Sequence, residues 1–140
     1  IVLDAQLAAI NSIKPGADVH MPHKIACDII QQGLENLGLL APGEPLSKFY
    51  MHGTGHWLGM DVHDVGKYQI NKQHRVFEKG MVITVEPGIY IRKDDKINPI
   101  YHDIGIRIED DVLVTNTGNT VLTEQLAKTI DEIETLMSED

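Results

Sequence analysis

The stretch His52-Gly53-Thr54-Gly55-His56-Trp57-Leu58-Gly59-Met60-Asp61-Val62-His63-Asp64 constrains this chain more than any other. It places three histidines within twelve positions and sets glycines between them. Glycine at that density makes a regular helix improbable, which excludes a helical two-histidine zinc motif. Glycine instead lets the backbone pass close to a ligand and take turns that other residues avoid. Such a loop can aim several imidazoles into one cleft. A neutral imidazole binds first-row divalent metals, and a charged or tautomerically fixed one donates to a carbonyl. Singly, each of these histidines reads as a surface loop residue. Together, with Asp61 and Asp64 beside them, His52, His56 and His63 read as a site. His20, His23, His74 and His102 lack that context and read as ordinary polar residues, the first two at a helix start.

Composition narrows the classes of function. The 140 residues carry 21 acidic against 12 basic side chains, a formal net charge of −9. That balance argues against a nucleic-acid binder working through a basic face. Hydrophobic residues at 42 % suit a folded globular chain rather than a disordered one. Lone Cys27 excludes an internal disulfide and a multi-cysteine zinc site. No apolar run approaches the roughly 18 residues of a membrane span, and no signal sequence is visible. A cytoplasmic location is the expectation, with no membrane partner and no nucleic acid.

The order of elements predicts an α+β fold. Val2, Leu3, Leu7 and Ile10 have helical spacing over about residues 1–13, and Lys14-Pro15-Gly16 breaks it. A second helix is expected from an Asp18 N-cap to a stop at Gly38, with Ile25, Ile29, Ile30, Leu34 and Leu37 as its apolar stripe. From Phe49 onward short strands and glycine turns take over. Residues 81–85 read as a strand, Pro87-Gly88 breaks it, and 89–91 resume it. Ile104, Ile106 and Ile108 alternate with Gly105, Arg107 and Glu109, and Val112-Leu113-Val114 continues or pairs with that strand. Thr117-Gly118-Asn119 is a turn. A last helix is expected from a Thr123 cap to about Met137.

Two carboxylates stand out from the acidic surplus. Glu86 ends an apolar strand before a forced turn, with no charged neighbour in sequence. Glu109 shares a strand face with Arg107, two residues earlier. If both faces of these strands are covered, a carboxylate there is destabilising by several kcal/mol unless paired or bound to a cation. Either Arg107 pairs with Glu109, or a metal binds both glutamates. Carboxylates favour hard cations, and one imidazole shifts the choice toward Mn²⁺, Fe²⁺, Co²⁺ or Zn²⁺.

The histidine stretch, Val85-Glu86-Pro87-Gly88-Ile89-Tyr90 and Gly105-Ile106-Arg107-Ile108-Glu109-Asp110 together resemble the signature of the proline-specific metallopeptidases, aminopeptidase P and prolidase. The three motifs occur in the family's order. The resemblance implies a pita-bread fold, a curved antiparallel sheet with helices on its outer face and a two-metal site in its concavity. It implies that His56, Glu86 and Glu109 are metal ligands, with Glu109 bridging the two ions and Glu86 also assisting proton transfer. It assigns catalytic roles to His52, His63, Glu86 and Arg107, and substrate contacts to His52, His63 and Tyr90. The cofactor implied is a pair of divalent ions, Mn²⁺ first, with Co²⁺, Zn²⁺ or Fe²⁺ as alternatives.

The implied reaction is hydrolysis of the bond between an N-terminal residue and a following proline by a metal-bridging hydroxide, with proline-containing peptides as substrates. Prolidase, cutting Xaa-Pro dipeptides, is the alternative; Trp57 directly after His56 favours aminopeptidase P. Methionine aminopeptidase spaces its histidine loop differently. A non-catalytic pita-bread module that binds peptides or partners is the reading from another class. The family's two aspartate ligands belong upstream of the histidine motif, and no matching pair precedes His52. Asp4, Asp18 and Asp28 sit in helical patterns, and Asp61 and Asp64 belong to the histidine signature. Residues 1–140 are therefore expected to be the C-terminal half of a catalytic domain, inactive by itself, from a protein that forms a homo-oligomer at full length.

Overall fold

The computed structural model describes residues 1–138. Two helices open it, α1 (Val2–Asn11) and α2 (Met21–Asn36). They bury Val2, Ala5, Ala9 and Ile10 of one and Ala26, Ile30 and Leu34 of the other. Small residues at Ala5, Ala9 and Ala26 let the two helices approach closely. Gly38 ends the second helical region at φ +68°, as the sequence anticipates. Its start differs from expectation. His20 occupies the N-cap position, and Pro22 fills the first turn. Asp18 instead accepts the His20 N–H in a turn just before the helix, and its backbone bridges to Val76. The earlier turn competes for the side chain that would otherwise cap.

The strands are β1 (Gln69–Ile70), β2 (Gln73–His74), β3 (Val82–Val85), β4 (Gly88–Ile91), β5 (Ile104–Arg107), β6 (Asp110–Val114) and β7 (Asn119–Val121). All pairings are antiparallel. β3 pairs with β6 and β6 with β7, β4 pairs with β5, and β1 with β2 forms a hairpin. The 81–85 and 89–91 readings match β3 and β4. Residues 104–109 do not form one strand with 112–114. The chain leaves β5 at Arg107 and re-enters a different sheet at Asp110. The condition that both faces of β5 be covered is not met among the described residues: Ile106 is 47 % exposed.

The core gathers Ile10, Ile13, Phe49, Phe77, Ile83, Val85, Val112 and Val114. The last helix, α3 (Ile130–Met137), begins later than the sequence suggests. Thr129, not Thr123, caps it, in a reciprocal box with Glu132. Thr123 is drawn inward instead: its hydroxyl donates to buried Asp110 and accepts the Asp111 N–H. No helix among the described residues is long and apolar enough to cross a membrane.

Candidate metal centre

Strand register brings the site together. β3 and β6 set Val85 opposite Asp110, so the next pair outward is Glu86 and Glu109. On the other edge of β3, residues 54–58 run antiparallel to it. The Glu86 N–H donates to the Thr54 carbonyl at 2.7 Å, and the Thr84 N–H to the His56 carbonyl at 3.0 Å. Trp57 bridges to Ile83, which sets His56 opposite Thr84. Alternate residues share a face, so His56, Thr84, Glu86 and Glu109 lie on one side, with Trp57, Ile83, Val85 and Asp110 on the other. The second set is buried; in the first, Thr84 is buried too, His56 and Glu86 are partly exposed and Glu109 is exposed. Gly55 is required for this approach: a Cβ there would overlap the Thr84 carbonyl.

One ligand-type atom from each of His56, Glu86 and Glu109 falls within 4.8 Å of the others. The donor chemistry fits a cation. The Trp57 carbonyl accepts from His56 Nδ1 at 3.1 Å, so that nitrogen carries the proton. In the neutral ring Nε2 is then a bare lone pair, 3.2 Å from Glu86 Oε1. Two acceptors facing each other at that distance call for a positive charge between or beside them. Partial desolvation raises the pKa of the Glu109 carboxyl, whose side chain is still exposed at its edge, and the charges of Glu86 and Asp111 raise it further. Arg107 and His56 offset this only in part. Two carboxylates and one imidazole suit a divalent first-row ion.

Arg107 does not take the partner that its strand position suggests. It pairs with Glu86, Nη1 to Oε2 at 3.4 Å, and among the described residues Glu109 forms no ion pair. Leaving β5 at Arg107 separates Arg107 from Glu109 and turns it toward the neighbouring strand.

His52, Tyr90 and Arg107 form one chain of hydrogen bonds. The Gly53 carbonyl accepts from His52 Nδ1 at 2.7 Å, leaving Nε2 to accept from the Tyr90 hydroxyl at 2.8 Å. Arg107 Nε donates to the same hydroxyl at 2.8 Å. The Tyr90 side chain folds over Gly88, where a Cβ would collide with its ring and hydroxyl. His63 sits edge-on to His56, ring centroids 4.3 Å apart, and is exposed. Asp61 and Asp64 stay out of the donor group. Asp64 orders the loop by accepting from the Met60 and Val65 N–H groups.

Thr84, Thr54 and Tyr50 escaped the sequence reading. The Thr84 hydroxyl accepts the His56 N–H at 3.0 Å and donates to Glu86 Oε1 at 3.1 Å. It thereby fixes both groups. The available signal was a threonine inside an apolar strand, two residues before Glu86. Tyr50 and Thr54 share a buried hydroxyl–hydroxyl bond under the histidine segment. Burial raises the Tyr50 pKa, which keeps the phenol neutral.

Metallopeptidase family M24 matches this chain over residues 1–116. An Xaa-Pro aminopeptidase of Haemophilus influenzae is 47 % identical, across 99 % of this chain and 34 % of its own length. The structure of Pseudomonas aeruginosa aminopeptidase PepP superposes with a TM-score of 0.93 at 48 % identity, over 97 % of this chain and 33 % of that one. Escherichia coli aminopeptidase P, solved with the inhibitor Pro-Leu, gives 0.89 at 42 % identity, over 97 % and 32 %. The chain thus spans about a third of the length of the relatives it matches.

Proposed function

The chain belongs to metallopeptidase family M24 and carries part of the pita-bread fold, and from this we propose that it is the C-terminal portion of an Xaa-Pro aminopeptidase catalytic domain. The observation that carries the reading is the convergence of His56, Glu86 and Glu109 on one face of the sheet. These three are the proposed ligands of a two-ion centre, and the remaining donors come from outside residues 1–140. The coverage of only a third of the relatives' length supports that division. Mn²⁺ is the proposed occupant, favoured by two carboxylates to one imidazole. A cytoplasmic location is supported by the free Cys27 thiol, and a homo-oligomer remains the proposal for the complete protein.

Divalent ions held there supply Lewis acidity, which acidifies water and polarises a carbonyl. The residues of the chain do the rest. Glu86 takes the proton of the attacking water and returns it to the proline nitrogen as the bond breaks. Arg107, 3.4 Å away, orients Glu86. His63 donates to the oxyanion as charge develops on it, while His52, its Nδ1–H held by the Gly53 carbonyl, acts through the Tyr90 hydroxyl that it orients. The Tyr90 hydroxyl, held between His52 and Arg107, lines the cleft. The scissile bond is a tertiary amide without an N–H, so recognition rests on shape around the ring. The inhibitor Pro-Leu of the E. coli relative begins with proline, as does the product left after removal of a residue preceding it. This favours an aminopeptidase over a dipeptidase.

Hydrolysis of an Ala-Pro-Xaa tripeptide by the complete protein with added Mn²⁺ tests the proposal. Release of alanine is expected. Cleavage of Xaa-Pro dipeptides alone would assign prolidase, and no cleavage would assign a binding module. The isolated 140-residue chain is expected to release no alanine, and robust hydrolysis by it would refute the division of ligands.

A further inference from the structure

Four residues with metal-binding chemistry meet outside the site just described. Residues 16–19 run antiparallel to residues 75–77. The Val19 N–H donates to the Arg75 carbonyl at 3.0 Å, and the Phe77 N–H to the Ala17 carbonyl at 2.8 Å. This pairing sets Asp18 and His20 against His74 at the end of the β1–β2 hairpin. His74 Nδ1 lies 3.2 Å from Asp18 Oδ2. The rings of His20 and His74 have centroids 4.9 Å apart, and those of His20 and His23 5.3 Å. An imidazole nitrogen bound at 2.0–2.1 Å puts its ring centroid about 3.2 Å from a metal, so two such rings at a tetrahedral angle stand about 5 Å apart. The His20–His74 spacing is close to that distance.

We propose that His20, His74 and Asp18 form a second metal site, selective for a borderline first-row ion such as Zn²⁺. Two imidazoles and one carboxylate make a nitrogen-rich set with open positions, in contrast to the carboxylate-rich His56 centre. The backbone is fixed by strand pairing beside Asp18 and His74 and by the start of α2 at His20, while the His20 and His74 side chains are exposed and their rings can turn about the Cβ–Cγ bond. Among the described residues only the His56 group already has its donor atoms within 4.8 Å, so the rings of this second set rotate on binding. His23 is held apart by its bond to the Thr54 hydroxyl at 2.8 Å. It stands between the new site and the histidine segment. Together His20, His23 and Thr54 line a cavity of about 290 Å³. The set owes nothing to the hydrolase reading.

The test uses the complete protein that carries this chain, with His56→Ala removing the first centre. Equilibrium dialysis against Zn²⁺ should find one equivalent more in that variant than in the H56A/H20A/H74A variant. His74→Ala alone should weaken that equivalent roughly tenfold or more. Equal stoichiometry in the two variants overturns the proposal. A measurement on the unaltered protein stands independent of how the variants fold: Zn²⁺ should protect His20 and His74 from carbethoxylation by diethylpyrocarbonate, read by mass spectrometry. Unprotected modification of both would likewise overturn it.

Discussion

His56 Nε2 faces Glu86 Oε1 at 3.2 Å while the Trp57 carbonyl holds the other ring nitrogen. The backbone fixes the tautomer, and the carboxylate fixes where positive charge must sit. Thr84 bonds to both residues, which makes it the positioning group of the pair. Thr84→Val keeps the shape and removes the hydroxyl. The variant should fold, lose about 1–3 kcal/mol from the unpaired His56 N–H, and bind Mn²⁺ roughly 10- to 100-fold more weakly. Calorimetric titration of the complete protein checks this, and unchanged affinity would remove Thr84 from the account.

Buried Asp110 is held by Gln6, Thr123 and Lys128, with Lys128 Nζ at 3.2 Å. Their side chains are 3 % and 14 % exposed. Lys128→Met should therefore destabilise by about 3–5 kcal/mol, because it leaves an uncompensated buried charge. The double variant with Asp110→Asn should recover part of the loss. Denaturant midpoints of the two variants measure it. An effect under about 1 kcal/mol would show that the pair is screened.

The histidine segment, the two glutamates and the order of elements were legible in the sequence because each rests on local chemistry. Glycine spacing marked the loop, an apolar run marked β3, and Pro87-Gly88 marked its end. What escaped depends on long-range register. Arg107 and Glu109 lie two residues apart, yet the chain changes sheets between them, and Arg107 turns to Glu86. Thr123 carries the local signature of a helix cap, but buried Asp110, thirteen residues away, claims its hydroxyl. His74 reads as an isolated polar residue until the pairing of residues 16–19 with 75–77 brings it to Asp18.

Glu132 offers a check on the late start of α3. The Lys128 N–H, then the Thr129 N–H and hydroxyl, lower its pKa from 4.5 to about 2. A depressed carboxylate stabilises the helix above its ordinary pKa, and that contribution is lost as pH falls from 4.5 toward 2. An NMR titration of the Glu132 carboxyl should find a midpoint near the lower value, moving back toward 4.5 in Thr129→Ala. A normal midpoint in the unaltered protein would place the cap elsewhere.

Cys27 is half-buried beside His23, with Sγ 3.6 Å from Nε2. Burial, then the charge of Asp28, raises its thiol pKa, while burial lowers that of His23 and keeps the ring neutral. A neutral imidazole does not activate a thiol as an imidazolium does. Iodoacetamide should alkylate Cys27 more slowly than a free peptide thiol at pH 8. Faster reaction would mean that the pair exchanges its proton.

His56, Glu86 and Glu109 are the proposed ligands of the metal on which hydrolysis by the complete protein would depend. The direct measurement is metal content alongside Ala-Pro-Xaa cleavage, in the complete protein and in its His56→Ala and Glu109→Gln variants. Each variant should bind less Mn²⁺ and lose at least about a hundredfold in kcat, while thermal unfolding stays cooperative. Full cleavage by a variant that no longer binds the ion, or full metal content in both, would contradict it.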